Sequence, residues 1–469
     1  MTESPALAAL FVPDLVARYD IAGPRYTSYP TALQFSERFG EAEYREHARK
    51  SNEDPIPRSL SLYLHVPFCS SPCFYCGCTR IITRDPRKAA VYLDHLYREL
   101  EIIAPLFARD RTVKQLHFGG GTPNFLDSAQ MVDLLDSLSQ HFSFSQECDR
   151  EFGIELDARW CDSEYIRMLA RGGINRISLG IQDFDVEVQA AVNRVQTLEQ
   201  TRAVIDTARE CGIRSTSVDL IYGLPKQNVS SFRGTLDKVI GLAPDRVATY
   251  AYAHLPERFK AQRKISAVDL PDATTRLRLL GLCEEVLSAA GYRYIGMDHF
   301  ARPNDDLAIA QDSGTLQRNF QGYSTHADCD LIGLGMSSIS RIGESFSQNA
   351  RDLPAYYASI DAGRLPIVRG LAMNDDDSIR SDVIQRLMCQ GRVDIEEFEA
   401  RHRLDFATYF SAEISRLHEL EADGLISVED QQIQVRSRGR FLLRNIAMCF
   451  DAYLKKAQAQ PVERYSRTL

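Results

Sequence analysis

The chain has 469 residues, of which 44% are hydrophobic and 25% charged, so it holds more than one ordinary domain and can bury a large core. A formal net charge of −9 argues against a protein that coats nucleic acid, because phosphate binding draws on a surplus of lysine and arginine. No window approaches the ~20 apolar residues of a membrane-spanning helix, and the first residues lack the basic start and apolar run of a signal peptide.

Eleven cysteines is an odd count, which disfavours a disulfide framework and predicts a reducing, cytoplasmic setting. Residues 1–50 are a mixed lead-in, with "AGPRYTSYPTALQF" broken by Gly23, Pro24 and Pro30. From about 60 the pattern alternates. Strands are predicted over 61–66, 113–118, 151–156, 176–181, 215–222 and 246–252. Helices are predicted between them over 89–107, 129–142, 163–172, 185–211 and 230–242. Strand then helix, repeated, predicts an α/β fold with a parallel sheet and right-handed crossovers, and six such strands fit a partial (βα)6 TIM-like barrel. This barrel and its extension are expected over 51–365. Over 366–469 the chain turns charged and helical, then passes through a short hairpin, "LISVEDQQIQVR", to a last helix. A mostly helical, winged-helix-like domain is expected there. Arg436, Arg438, Arg440 and Arg444 read as a solvated basic face rather than a nucleic-acid patch.

In barrels of this kind chemistry sits at the carboxyl ends of the strands. "CSSPCFYCGC" (69–78) follows the first strand and "GGGTP" (119–123) the second. Glu155 and Asp157 end the third, Gln182 and Asp183 the fourth, and Asp219 lies on the fifth. Cys69, Cys73 and Cys76 put three thiols into one short loop, with Cys78 just beyond. Structural zinc favours two separated cysteine pairs, and no second pair exists, although His65 and Cys78 are available to complete a zinc site. Three closely spaced soft ligands instead suit a [4Fe–4S] cluster with one iron left open. An open iron is a binding point for a chelating ligand and a route for one electron. The seven other cysteines are scattered singly and read as small buried hydrophobes.

"CSSPCFYC" resembles the signature of the radical S-adenosylmethionine (SAM) superfamily, with Tyr75 as its aromatic. "PRYTSYPTALQF", "HFGGGTP", "IQDFDVEVQAAVNR", "DLIYGLPKQ", "GMDHFARP" and "RNFQGYST" extend the resemblance to the oxygen-independent coproporphyrinogen III oxidase family, from about residue 20 onward. That resemblance implies oxidative decarboxylation of two propionates of coproporphyrinogen III to vinyls, giving protoporphyrinogen IX. It implies a [4Fe–4S] cluster on Cys69, Cys73 and Cys76, and two SAM molecules per chain. SAM-site positions fall on Tyr63, Tyr75, Gly120, Gly121, Thr122, Glu155, Gln182, Arg194, Asp219, Ala253 and Ile339, with Tyr63 and Glu155 expected to act in catalysis. Phe320, Gln321 and Ile221 are weaker candidates for the second SAM or the substrate. Arg25, Arg302, His299 and Lys226 are candidates for the substrate carboxylates on chemical grounds. The segment 23–31 is expected to fold over the barrel mouth as a lid. The expected partners are the porphyrinogen and an unidentified electron donor and acceptor. No nucleic acid, no membrane insertion and a monomer are expected. The alternative is a haem-binding chaperone branch of the same family. That branch typically carries Phe at the position of Cys78 and lacks the "PRYTSYPT" lead-in.

Overall fold

A computed structural model describes residues 15, 18–326, 328–429 and 431–457. By backbone packing the chain forms two compact units. One comprises 33–271 and 328–372; the other comprises the described residues up to 32, with 272–327 and the chain from 373 onward. The sequence interval 51–365 is therefore shared between them, because 272–327 packs with the C-terminal helices.

The first unit carries the predicted alternation. Its strands are β1 (Leu60–Val66), β2 (Thr112–Gly120), β3 (Glu151–Leu156), β4 (Arg176–Gln182), β5 (Ser215–Tyr222) and β6 (Arg246–Ala251). They lie side by side in chain order, all parallel. Between them run α1 (Arg87–Ile103), α2 (Ser128–His141), α3 (Ser163–Arg171), α4 (Val186–Ala191), α5 (Leu198–Glu210) and α6 (Val229–Leu242). Six of the seven β1 residues are buried, the near-continuous apolar pattern of a strand covered on both faces.

Beyond β1 the sheet continues through β7 (Asp330–Leu334), which is parallel to β1. Then β8 (Ile339–Ile342), β9 (Ser345–Asn349) and β10 (Ile367–Ala372) follow as antiparallel neighbours. The sheet is thus mixed. Among the described residues the two ends of its strand order do not pair, so it does not close into a barrel.

Two helices differ from expectation. The helix predicted over 89–107 stops at Ile103, because Pro105 has no N–H for the next helical bond, and one 3-10 turn follows. The helix predicted over 185–211 is two helices. Asn193 takes a left-handed φ of 55°, and Thr197 restarts the chain with a capping box to Gln200. The interruption between them contains Arg194.

A buried carboxylate ties α1 to the β7 end of the sheet. Glu99 accepts hydrogen bonds from Gly335 N (2.7 Å), Asn349 Nδ2 (2.7 Å) and Tyr356 Oη (2.7 Å). Burial nevertheless pushes its carboxyl up to about 7.

The second unit contains helix Ala273–Ala289, and packs helices Asp375–Gln390 and Ser411–Ala422 with a three-stranded antiparallel sheet of Arg392–Asp394, Gln432–Val435 and Ile426–Glu429. The lead-in belongs to its core. Tyr26 and Tyr29 are buried. Tyr26 Oη donates to Asp451 (2.9 Å), and Tyr29 Oη accepts from Ala452 N (3.1 Å). Arg444 donates to the carbonyls of Gly23 and Pro24. Arg444 is therefore buried and structural, a correction to its reading as part of a solvated face. Arg436, Arg438 and Arg440 are exposed.

Candidate active site

After β1 the chain makes a two-residue parallel pairing, Phe68–Cys69 with Ile81–Ile82, which closes the intervening residues into a loop. Arg80 curls this loop by donating to the carbonyls of Cys73 (3.2 Å) and Cys76 (3.0 Å). Asn193 Nδ2 holds Pro72 O (2.7 Å). Gln262 Nε2 donates to Tyr75 O (2.9 Å) and to Ala253 O (3.1 Å).

Each of the three cysteines in the motif has a donor aimed at its sulfur. Thr122 Oγ1 donates to Cys69 (3.3 Å), Arg194 Nη1 to Cys73 (3.6 Å), and the backbone N–H of Cys78 to Cys76 (3.4 Å). Burial pushes the Cys69 thiol up to about 11. The Cys78 thiol, by hydrogen bonding, holds Cys76 down to about 6, with Arg80 and Arg194 assisting.

These sulfurs open on a cavity of about 190 Å³ at the carboxyl ends of the strands. The sequence-predicted Tyr75, Gly120, Gly121, Thr122, Glu155, Gln182, Arg194 and Asp219 line it together with the three cysteines. The glycines are required by packing. Gly120 has a φ of 111°, and a Cβ on Gly121 would lie 2.7 Å from the backbone of Pro67 and Phe68. Gly180 likewise leaves room for Gln182 Nε2, which a Cβ would meet at 2.7 Å.

Charge in the cavity is ordered. Burial opposes ionisation of Glu155, but the hydrogen bond and charge of His117 (3.2 Å) hold it below the usual carboxylate range. Burial and then the charge of Glu155 push Asp219 up to about 7. Asp157 lies between Arg159 (2.6 Å) and Arg194 (3.1 Å), which overcome burial and keep it ionised. Arg159 Nη2 reaches to 3.9 Å from Cys73 Sγ. Gln182 Oε1 and Arg194 Nε are buried without a hydrogen-bond partner.

Other predicted residues fall elsewhere. Tyr63 stands behind the cavity wall: its ring stacks on His117 at 6.1 Å and its hydroxyl meets His65 Nδ1 at 3.2 Å. Gln262 bridges the Ala253 carbonyl to the cysteine loop, and Ile339 opens β8. Ile221 packs beside Phe74 and Tyr75 in an apolar cluster. Asp183 turns inward to Gln227 and Thr235, and Lys226 is exposed. Arg25, Arg302, His299, Phe320 and Gln321 lie in the second unit. Sequence reasoning passed over Arg80, Arg159 and His117 as site residues. Arg80 and Arg159 each stand two residues past a flagged residue, Cys78 and Asp157 respectively, and that adjacency was the available signal.

Among the described residues no three His, Cys, Asp or Glu side chains converge to hold a single metal ion. Three thiols for three corners of a cube need not converge. Residues 63–239 match the family described as the Radical SAM superfamily, and 373–442 the HemN C-terminal domain. The oxygen-independent coproporphyrinogen III oxidase of Pseudomonas aeruginosa is 49% identical over 97% of this chain and 98% of its own. That of Escherichia coli (strain K12) is 47% identical, with the same coverage of both chains. The solved structure of the Escherichia coli coproporphyrinogen III oxidase (HemN), titled a radical SAM enzyme, superposes with a TM-score of 0.88 at 48% identity, covering 92% of this chain and 97% of that one.

The chain belongs to the oxygen-independent coproporphyrinogen III oxidase family.

Membership of this radical SAM oxidase family implies a [4Fe–4S] cluster and SAM, and the residues present fit both. Each motif sulfur receives at least one N–H or O–H, the kind of donor a cluster-bound thiolate accepts. The partnerless Gln182 oxygen and Arg194 Nε supply an acceptor and a cationic donor of the kind an amino-acid ligand uses. No helix among the described residues is long and apolar enough to cross a membrane.

Proposed function

We infer that the strand-end cavity is the radical SAM centre of an oxygen-independent coproporphyrinogen III oxidase, an oxidoreductase of haem biosynthesis. The observation that carries this reading is the set of three individually hydrogen-bonded thiols on a polar cavity, in a chain that matches the family along its length. Cys69, Cys73 and Cys76 hold the cluster. When bound, the cluster and SAM supply the one-electron chemistry that opens oxidation at a propionate β-carbon.

The chain's own residues bind and orient. Gly120 and Gly121 present backbone where no side chain fits, and Thr122 beside them donates to Cys69. Gln182 and Arg194 take the amino-acid end of SAM, and Glu155 and Asp219 suit its ribose hydroxyls or ammonium. Tyr75 walls the cluster side. Tyr63 acts through Glu155, since a Cβ on Gly119 would touch both side chains. Ala253 and Ile339 belong to the proposed second SAM position, giving two SAM per chain. The remaining parts of the reading are a (βα)6 radical SAM core, a winged-helix-like C-terminal region, a lid over 23–31 and a cytoplasmic monomer. An external electron donor and acceptor complete it. Loss of CO2, one hydrogen atom and one electron from each of two propionates leaves two vinyls.

The test is anaerobic reconstitution followed by coproporphyrinogen III, SAM and reductant. Protoporphyrin fluorescence after oxidation is the expected result. Haem binding with an intact cluster and no vinyl product would sink the reading in favour of a chaperone.

A further inference from the structure

In the second unit, the hairpin Gln317–Asn319 with Gly322–Ser324 sets Arg318 directly opposite Tyr323, so both side chains share one face. Arg318 is 5% exposed, and its guanidinium carbon lies 4.8 Å from the Tyr323 ring centroid. Both residues are held rigidly. Gln385 accepts from Arg318 N (3.3 Å) and donates to Arg318 O (3.0 Å), while Tyr323 Oη donates to Met388 O (2.9 Å).

What this guanidinium lacks is an anion. Among the described residues it forms no ion pair with an Asp or Glu, and its Nε and Nη1 are buried without hydrogen-bond partners. A buried cation in that condition is unfavourable, and the contact with the tyrosine face offsets only part of the desolvation. An arginine with open donors is suited to charge-assisted recognition of a carboxylate.

Two further groups face the same place. His299 stands edge-on to Tyr323 with ring centroids 5.2 Å apart. Burial, then the charges of Arg318 and Arg25, push its imidazole down to about 3, so it stays neutral. Arg25 is 36% exposed and meets Asp298 only at 3.7 Å. Arg318 and Arg25 thus both bear on His299, and the half-open Arg25 gives the ligand its way in.

We propose that Arg318, with Arg25 at the rim and His299 beside it, is the receptor for one propionate carboxylate of the porphyrinogen. This rests on coproporphyrinogen III being the substrate.

The experiment is fluorescence titration of the reconstituted full chain with coproporphyrin III, the oxidised form that keeps all four carboxylates. Arg318→Met should weaken binding about tenfold or more, the scale of one charge-assisted hydrogen bond. Arg318→Lys should recover part of the loss, with iron content and SAM affinity unchanged. The tetramethyl ester, its carboxylates blocked, should bind wild type and Arg318→Met alike. Arg318→Met binding coproporphyrin III as wild type does, or losing the ester by the same factor, overturns the proposal. Should Arg318→Met fail to fold, Arg318→Lys and the partly exposed Arg25→Met decide: weakened binding in both supports the receptor, and wild-type affinity in both overturns it. Wild type that neither binds coproporphyrin III nor makes vinyl product would instead remove the substrate reading itself.

Discussion

At the scale of single residues, the sulfur donors separate Cys78 from the three cysteines before it. Cys78 offers Cys76 its backbone N–H, which a serine keeps. Cys78→Ser should therefore retain iron and sulfide after reconstitution, while Ser at Cys69, Cys73 or Cys76 should lose most of both; elemental analysis of the four variants reads this directly. The paired guanidiniums near Cys73 make a second prediction. Asp157 pins Arg159 and Arg194 together, and both point N–H groups at the sulfur. Removing one positive charge makes an added electron less welcome. Arg159→Met should shift the cluster's reduction potential to a more negative value, measured by dye-mediated titration with paramagnetic resonance, while iron content stays near wild type. Cys69, Cys73 and Cys76 stood out in the sequence because four thiols in ten residues are conspicuous. Arg80 and Arg159 did not, because the loop carbonyls and the Asp157 carboxylate that hold them converge only when the chain turns there; His117 did not, because Tyr63 and Glu155 reach it from neighbouring strands.

At the scale of elements, β1 to β6 were legible because each is an apolar run alternating with an amphipathic helix, whereas β7 to β10 were not foreseen. The helix near 185–211 was legible in type but not in continuity. Its interruption depends on a left-handed Asn193 and a threonine cap, both of which also occur inside loops without consequence. The join of α1 to the β7 end of the sheet carries a pH dependence. Glu99 has a folded pKa of about 7, above its ordinary value of 4.5. The folded state thus binds the proton more tightly. The stability from this group is fully present below about 4.5 and is lost as pH rises through about 7. Its size is on the order of 3 kcal/mol between those limits. Denaturant unfolding of wild type should show this decline, and Glu99→Gln should flatten it.

At the scale of the whole molecule, the division into two units was not visible in the sequence. Composition changes near 370, but residues 272–327 share the barrel's composition and pack with the C-terminal helices instead. The lead-in, conspicuous for its prolines and tyrosines, proves to be core of that second unit. Tyr26→Phe removes the hydroxyl that satisfies the buried Asp451. The expected cost is about 1–3 kcal/mol of stability, seen as a lower unfolding midpoint with unchanged denaturant slope.

The sulfur donors also set an order of events in synthesis. Arg194 lies 121 residues downstream of Cys73, which is on the order of ten seconds of ribosomal elongation. During that interval the cysteine loop has been synthesised and its guanidinium partner has not. A cluster seated on the loop before Arg194 is made would lack that donor to Cys73.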